Sequence, residues 1–376
     1  MKTTHVLSLL FLLNGLLISI GCQPARNIVP ELDTEASKLP LLAEGQHLGM
    51  IVGFNPSNPT ATEDSIAARW QESLDAGSTA GRLQIDWPEL EPAPGEFDEE
   101  ALRGPLQEMV GQGLATFLTI SAFDSDGAVV PEDLEGVDFD SEEMQTRFNA
   151  LMDWVIPMLV QYDGWAIAVA NEPDVNFEDN RQLADEILMF LEQSRDHIHQ
   201  LDKDMAVTIT MSAGTLDDFP RQTRKIAAAS DVVSLNFYGI SPKEAGQIVP
   251  AETVQAKLQE LLEFAGDKDI VFQELGLHSG GENLTDSPEN QAAFFQATFE
   301  MMEREPRFRA AYVFQLVDWS PEVADLFMSL FDGEDVPSIF IEEYREVLLN
   351  LGLIRYEDGT RKPAWDVYID WVKKIR

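Results

Sequence analysis

A short apolar run, a polar loop and an amphipathic stretch recur every ~30 to 50 residues along this chain, the rhythm of strands alternating with helices in a parallel sheet. The runs are His47–Asn55, Gly81–Asp86, Leu114–Ala122, Trp165–Asn171, Ala206–Ala213, Val232–Tyr238, Ile270–Glu274 and Ala311–Val317. Most are near-continuous in apolar residues, as strands buried on both faces are. Helical spacing of apolar residues marks the intervals Ser65–Ala76, Leu102–Gln112, Gln145–Val160, Gln182–Leu201, Thr253–Ala265 and Gln291–Glu303. Eight such units predict an α/β fold, a single-domain (β/α)8 TIM barrel. An open doubly wound sheet is the alternative; it needs a glycine-rich phosphate loop after the first strand, where Gly53-Phe54-Asn55-Pro56 stands instead. No linker or low-complexity break divides residues 39–376, which form the expected barrel domain.

The chain starts Met1-Lys2-Thr3-Thr4-His5 and continues with an apolar run, Val6 to Ile20, broken by Ser8, Asn14, Gly15 and Ser19. That run is shorter than a spanning helix and reads as the core of an export signal, residues 1–21. Ser19-Ile20-Gly21-Cys22 resembles a bacterial lipobox, with Ser19 where Leu is usual. The resemblance implies lipidation at Cys22, a polar tether over residues 22–38, and a domain held on the outside of a bacterial membrane. Gln23 after the cysteine points to the outer membrane where the host has one. Cys22 is the chain's single cysteine, so no intramolecular disulfide forms and packing alone must hold the core.

Charge narrows the partners. Sixty-six acidic against 26 basic residues give a formal net charge of −40, which repels nucleic acid and anionic lipid surfaces. A heavily solvated acidic surface is expected, and contact with a membrane only through the lipid.

Two strand ends carry chemistry. Trp165-Ala166-Ile167-Ala168-Val169-Ala170-Asn171-Glu172-Pro173 closes the fourth strand with an amide, a carboxyl and a proline that stops the ladder. Asp269-Ile270-Val271-Phe272-Gln273-Glu274 closes the seventh with a second carboxyl, costly to bury unless it has a partner or a task. In such barrels the C-terminal strand ends form the catalytic face. A pair of carboxyls there is what glycoside hydrolysis requires; an internal salt bridge is the structural alternative for Glu274.

These segments resemble the clan of retaining (β/α)8 glycosidases that carries its acid/base on strand four and its nucleophile on strand seven. The likeness runs from about Gly49 to Trp371. It includes Arg82-Leu83-Gln84-Ile85-Asp86-Trp87 with Glu91-Pro92-Ala93-Pro94-Gly95-Glu96-Phe97-Asp98, Asn171-Glu172-Pro173, Asn236-Phe237-Tyr238 and Gln273-Glu274-Leu275-Gly276. Phe314-Gln315-Leu316-Val317-Asp318-Trp319 and the closing Gly352-Leu353 and Asp358-Gly359-Thr360-Arg361-Lys362-Pro363-Ala364-Trp365 complete it. The resemblance implies Glu172 as acid/base and Glu274 as nucleophile, with Tyr238 or Arg82 keeping Glu274 ionised and Asn171 bonding the sugar 2-hydroxyl. Trp319 and Trp87 are candidate platforms for a sugar ring, or packing at the barrel rim. Asp86, Asp124 and Asp318 are further candidates for sugar hydroxyls, or solvated loop residues. No histidine stands near the ends of strands three and six, where several families of the clan use one; Phe123-Asp124 and Phe237-Tyr238 do.

The expected activity is hydrolysis of O-glycosyl bonds in β-linked oligo- or polysaccharides by a monomer, with no metal and no cofactor. The histidines, His5, His47, His197, His199 and His278, lack the strand-end clustering of a metal-dependent barrel hydrolase. The rival is a lipid-anchored surface glycan-binding protein; that reading expects one catalytic carboxyl to be lost, and both are present. A purely structural barrel gives no reason for Asn171, Glu172, Tyr238 and Glu274 to converge.

Overall fold

The computed structural model describes residues 46–51, 63–178, 181–239, 251–281, 284, 286–329 and 338–374. The leader, Cys22 and the tether lie outside the described residues. Eight parallel strands close into a barrel. They are β1 (His47–Ile51), β2 (Ala80–Asp86), β3 (Ala115–Ser121), β4 (Gly164–Asn171), β5 (Ala206–Ser212), β6 (Val233–Phe237), β7 (Ile270–Leu275) and β8 (Phe308–Phe314). Each strand pairs with the next in sequence, and β8 returns to β1. The surrounding helices are α1 (Glu63–Ala76), α2 (Glu99–Gly111), α3 (Glu142–Gln161), α4 (Arg181–Leu201), α5 (Pro220–Ala229), α6 (Ala251–Ala265) and α7 (Pro288–Arg304). After β8 come α8 (Pro321–Met328), α9 (Ser338–Leu348) and α10 (Pro363–Lys374), and α10 packs against both α7 and α1 to close the ring.

The strands are apolar on the outside and mixed within. Leu118, Ile120, Ile167, Ile209, Leu235 and Phe272 face the helices in one large buried cluster. Facing inward, Ala80, Phe117, Ala166, Ala168, Val271, Ala310 and Tyr312 form a separate apolar floor. Phe117 fills its centre, with the Trp165 ring 5.7 Å and the Tyr312 ring 6.0 Å away. Small residues are required where strands crowd: a Cβ on Gly49 would lie 2.2 Å from the Ala80 carbonyl oxygen. Above the floor the lumen turns polar, with Thr119, Thr210 and Ser234 buried there.

Two strands break the regular alternation at their upper ends. Leu235 pairs with Phe272 but Asn236 with Glu274, so Gln273 is an extra residue in β7. Between Ala168, paired with Thr208, and Asn171, paired with Thr210, β4 likewise holds one residue more than β5. Such bulges re-aim the side chains that follow them.

The expected eighth strand, Ala311–Val317, is displaced: β8 starts at Phe308. Arg309 interrupts the apolar run, but it is half-buried at the start of β8 and pairs with Asp269 at 3.2 Å. The two expected long loops are not featureless. Phe123–Asp140 contains a hairpin of Phe123–Asp124 with Gly127–Ala128 and a helical turn at Glu132–Leu134, while Asp318–Ile339 contains α8 and the start of α9. Helices α2, α3 and α7 begin three residues before their expected starts because side-chain caps open them: Asp98, Ser141 and Ser287 each accept a backbone N–H of the first turn.

Candidate active site

Glu172 follows β4 at φ 48° and ψ 40°, a left-handed conformation uncommon for a residue with a side chain. It is held there by its N–H donating to the Thr210 carbonyl at 2.7 Å, and Pro173 then starts a short helical turn. The carboxyl is buried, and Oε1 has no hydrogen-bond partner among the described residues. Burial raises its pKa well above the usual carboxylate range, and the negative fields of Glu274, Asp174 and Asp124 push the same way, against a hydrogen bond from Asn236. Glu172 is therefore biased toward its protonated form.

Glu274 shares that field but has opposite company. Its Oε1 lies 3.2 Å from Nη2 of Arg82, and its Oε2 accepts the Tyr238 hydroxyl. Arg82 rises inside the barrel from the middle of β2, and its buried guanidinium also donates to Gln84. Burial raises the Tyr238 pKa, as does the adjacent Glu274, so the phenol keeps the proton it donates. Gly276 makes room for this ring: a Cβ there would lie 3.0 Å from two Tyr238 ring carbons and 2.8 Å from the Phe314 carbonyl oxygen.

Between the two glutamates runs a buried amide chain. Asn171 donates to Asp124 at 3.0 Å and accepts from Gln273 at 2.8 Å and Asn236 at 3.3 Å. Gln273 accepts the hydroxyls of Thr119 and Thr210, both at 2.6 Å. Asp124 has its pKa raised to about 6 by burial, against hydrogen bonds from Asn171 and Ser125. At the rim of β2, half-buried Asp86 is raised to about 7 by burial and by nearby Asp124, Glu89 and Asp126. Asp174 is raised to about 7 by burial, although Thr215 and the Ser212 N–H bond it.

The other expected residues divide. Trp319 is half-buried beyond β8, edge-on to Phe327 at 5.6 Å, and its indole N–H has no partner among the described residues. Trp87 is not a platform. It is fully buried, its N–H donates to Glu91 at 2.8 Å, and Phe148 packs on it at 5.1 Å, so no face remains for a sugar. Buried Glu91 also accepts the Gly95 N–H and Arg147, which makes the loop after β2 a structural anchor. Asp318 is likewise structural: it pairs with Lys362 at 2.6 Å and accepts the Gly352 N–H at 2.8 Å, tying the closing segment to the end of β8.

Sequence reasoning assigned no role to Gln84, Asp174, Asn236, Gln273 or Tyr344. Gln84 had a signal, since Arg82, Gln84 and Asp86 alternate along one strand and so share the lumen face. Tyr344 had none: α9 delivers its buried ring into a region where both Glu172 and Glu274 raise its pKa, after burial. Among the described residues, the carboxylates close enough to share a cation are Asp138, Asp140 and Glu186, a group that includes neither strand-end glutamate.

No protein-family model matches the sequence, and no curated protein matches it. Solved structures do. A substituted GH5_18 protein from Streptomyces cattleya, in complex with Manβ1-4GlcNAc, is 16% identical with a TM-score of 0.63, covering 88% of this chain and 81% of that one. GH5_18 from Bifidobacterium longum subsp. longum ATCC 55813 is also 16% identical at a TM-score of 0.63, covering 88% and 79%. An exo-β-1,4-mannosidase from Opitutaceae bacterium strain TAV5 is 16% identical at 0.62, covering 88% of this chain and 59% of its own. At such identities the likeness shows the fold: this chain is a (β/α)8 barrel of the shape these proteins share.

Proposed function

We propose that the protein is a retaining glycoside hydrolase acting on β-linked oligo- or polysaccharides. The observation that carries this reading is the pairing of two buried glutamates in one electrostatic neighbourhood, Glu172 poised to hold a proton and Glu274 held by Arg82 and Tyr238. In the first step Glu274 attacks the anomeric carbon while Glu172 gives its proton to the departing oxygen, leaving a glycosyl ester on Glu274. In the second, Glu172 takes a proton from water, which attacks the ester with net retention. The ligands and activity named for the similar structures support β-mannosides as the first substrates to try. A glycan-binding protein without catalysis would have no use for the proton-holding environment of Glu172.

Proton NMR of the first-formed product tests the mechanism, with retention expected. Glu274→Ala should abolish turnover, and azide should restore it with an inverted product. Glu172→Ala should lose about 10² to 10⁴ in rate on natural glycans while an activated aryl glycoside still forms the ester. Inversion by the unmodified protein, or full activity in both variants, would overturn the assignment. The lipobox-like segment supports a further proposal, that Cys22 carries the anchor lipid and holds the barrel outside a bacterial membrane. Metabolic labelling with a fatty-acid probe should vanish in Cys22→Ala; persistent labelling rejects it.

A further inference from the structure

A side-chain amide has a front and a back, because its oxygen accepts and its nitrogen donates. Which end Asn171 presents to a ligand depends on its neighbours. Asp124 is fully buried just beyond β3, where its carboxylate accepts from Gln84 Nε2 at 2.9 Å, from Ser121 Oγ at 3.3 Å and from Asn171 Nδ2 at 3.0 Å. It also accepts from the backbone N–H and the hydroxyl of Ser125, at 2.6 and 3.2 Å. A carboxylate so surrounded by donors has nothing to donate, so Asn171 must turn its nitrogen to it. The Asn171 oxygen then faces Gln273 Nε2 and Asn236 Nδ2, which use both of its lone pairs. What Asn171 retains is its second N–H, for which the described residues hold no partner.

We propose that Asp124 is a positioning residue: it locks Asn171 as a hydrogen-bond donor, so the site selects sugars that offer an acceptor at C2 of the ring attacked by Glu274. The inference rests on the glycosidase reading above. A 2-hydroxyl beside ionised Glu274 directs its own proton to that carboxylate and has only lone pairs left for Asn171. An Asn171 turned the other way would meet those lone pairs with its oxygen. Asp124→Asn keeps the shape but removes the lock, because an amide at that place can donate as well as accept.

The purified protein and Asp124→Asn are compared on 2,4-dinitrophenyl β-D-mannopyranoside, the β-D-glucopyranoside and their shared 2-deoxy analogue. The hydroxy-to-deoxy ratio of kcat/KM should fall about tenfold or more in the variant, whatever the change in the rate that the two substrates share. Asn171→Ala should lower the ratio to a similar level, and the double variant should go no lower, as expected of residues acting through one contact. An unchanged ratio, or losses that multiply, overturns the proposal. A second measurement does not depend on turnover. The side-chain amide resonance of Asn171, identified by its loss in Asn171→Asp, should shift in Asp124→Asn; an unmoved resonance overturns the lock. No turnover of any glycoside by the unmodified protein contradicts the glycosidase reading, and with it the claim of selectivity at C2.

Discussion

Glu172 combines two unfavourable states, a left-handed backbone and a buried carboxyl, and each is secured by its surroundings. Observed strain at a strand end argues for function, since packing alone has no need of it. The tryptophans show the converse, that position near a strand end does not decide a role. Trp319 is half-buried, whereas Trp87 is sealed beneath Phe148 and bonded to Glu91. Trp319→Ala should raise KM roughly tenfold, the effect of losing about 1.4 kcal/mol of binding. Trp87→Phe should leave KM unchanged while lowering stability by about 1.5–3 kcal/mol, the usual value of a hydrogen bond to a charged group. Steady-state kinetics and urea unfolding on both variants separate the two; a KM effect confined to Trp87→Phe would reverse the reading.

At the level of elements, the strands were legible because their outward residues form apolar runs that helices cover. Strand β8 was misplaced because Arg309 breaks its apolar run and is satisfied by an ion pair, which a hydrophobic pattern cannot show. The first turns of α2, α3 and α7 were missed because polar caps and acidic residues open them, outside the apolar periodicity. Glu172 and Glu274 were visible as carboxyls ending apolar runs. The roles of Asn236, Gln273 and Asp124 were not, since they depend on register between strands far apart in sequence. The closing segment belongs to this scale too. Lys362 donates to Asp318, to the Asn350 carbonyl at 3.0 Å and to the Gly352 carbonyl at 2.8 Å, so it joins β8 to the turn before α10. Lys362→Met should cost about 3–5 kcal/mol, because it leaves Asp318 buried without its cation. Combining it with Asp318→Asn, which keeps an acceptor for Gly352, should recover part of that loss in urea unfolding. Strictly additive losses would show that the pair does not act as a unit.

For the whole molecule, the buried acids set how stability follows pH. Asp86 and Asp174 at about 7, Asp124 and Asp318 at about 6, and Glu172 well above its usual range all bind a proton more tightly folded than unfolded. Their contribution is full below the unfolded pKa near 4; that of the four aspartates is lost as pH rises through 6 and 7, and that of Glu172 is lost above its own raised pKa. His47 and His278, both lowered by burial to about 4, oppose this between about 6.5 and 4, where the unfolded chain binds the extra protons. Relief of repulsion within a chain of net charge −40 adds to the acids. Tm should therefore rise by several degrees as pH is lowered from about 8 to about 5, and salt should help more at the higher pH. Calorimetry giving a Tm that falls steadily over that range would refute the account. The extra residues in β4 and β7 have a consequence for anyone rebuilding this barrel. Each changes the parity of its strand, so the lower half is spoken for by the floor and the upper half is free to face a ligand. A barrel idealised to strictly alternating strands with no residue removed would keep its floor and its helices, yet turn Asn171 and Glu274 out of the lumen.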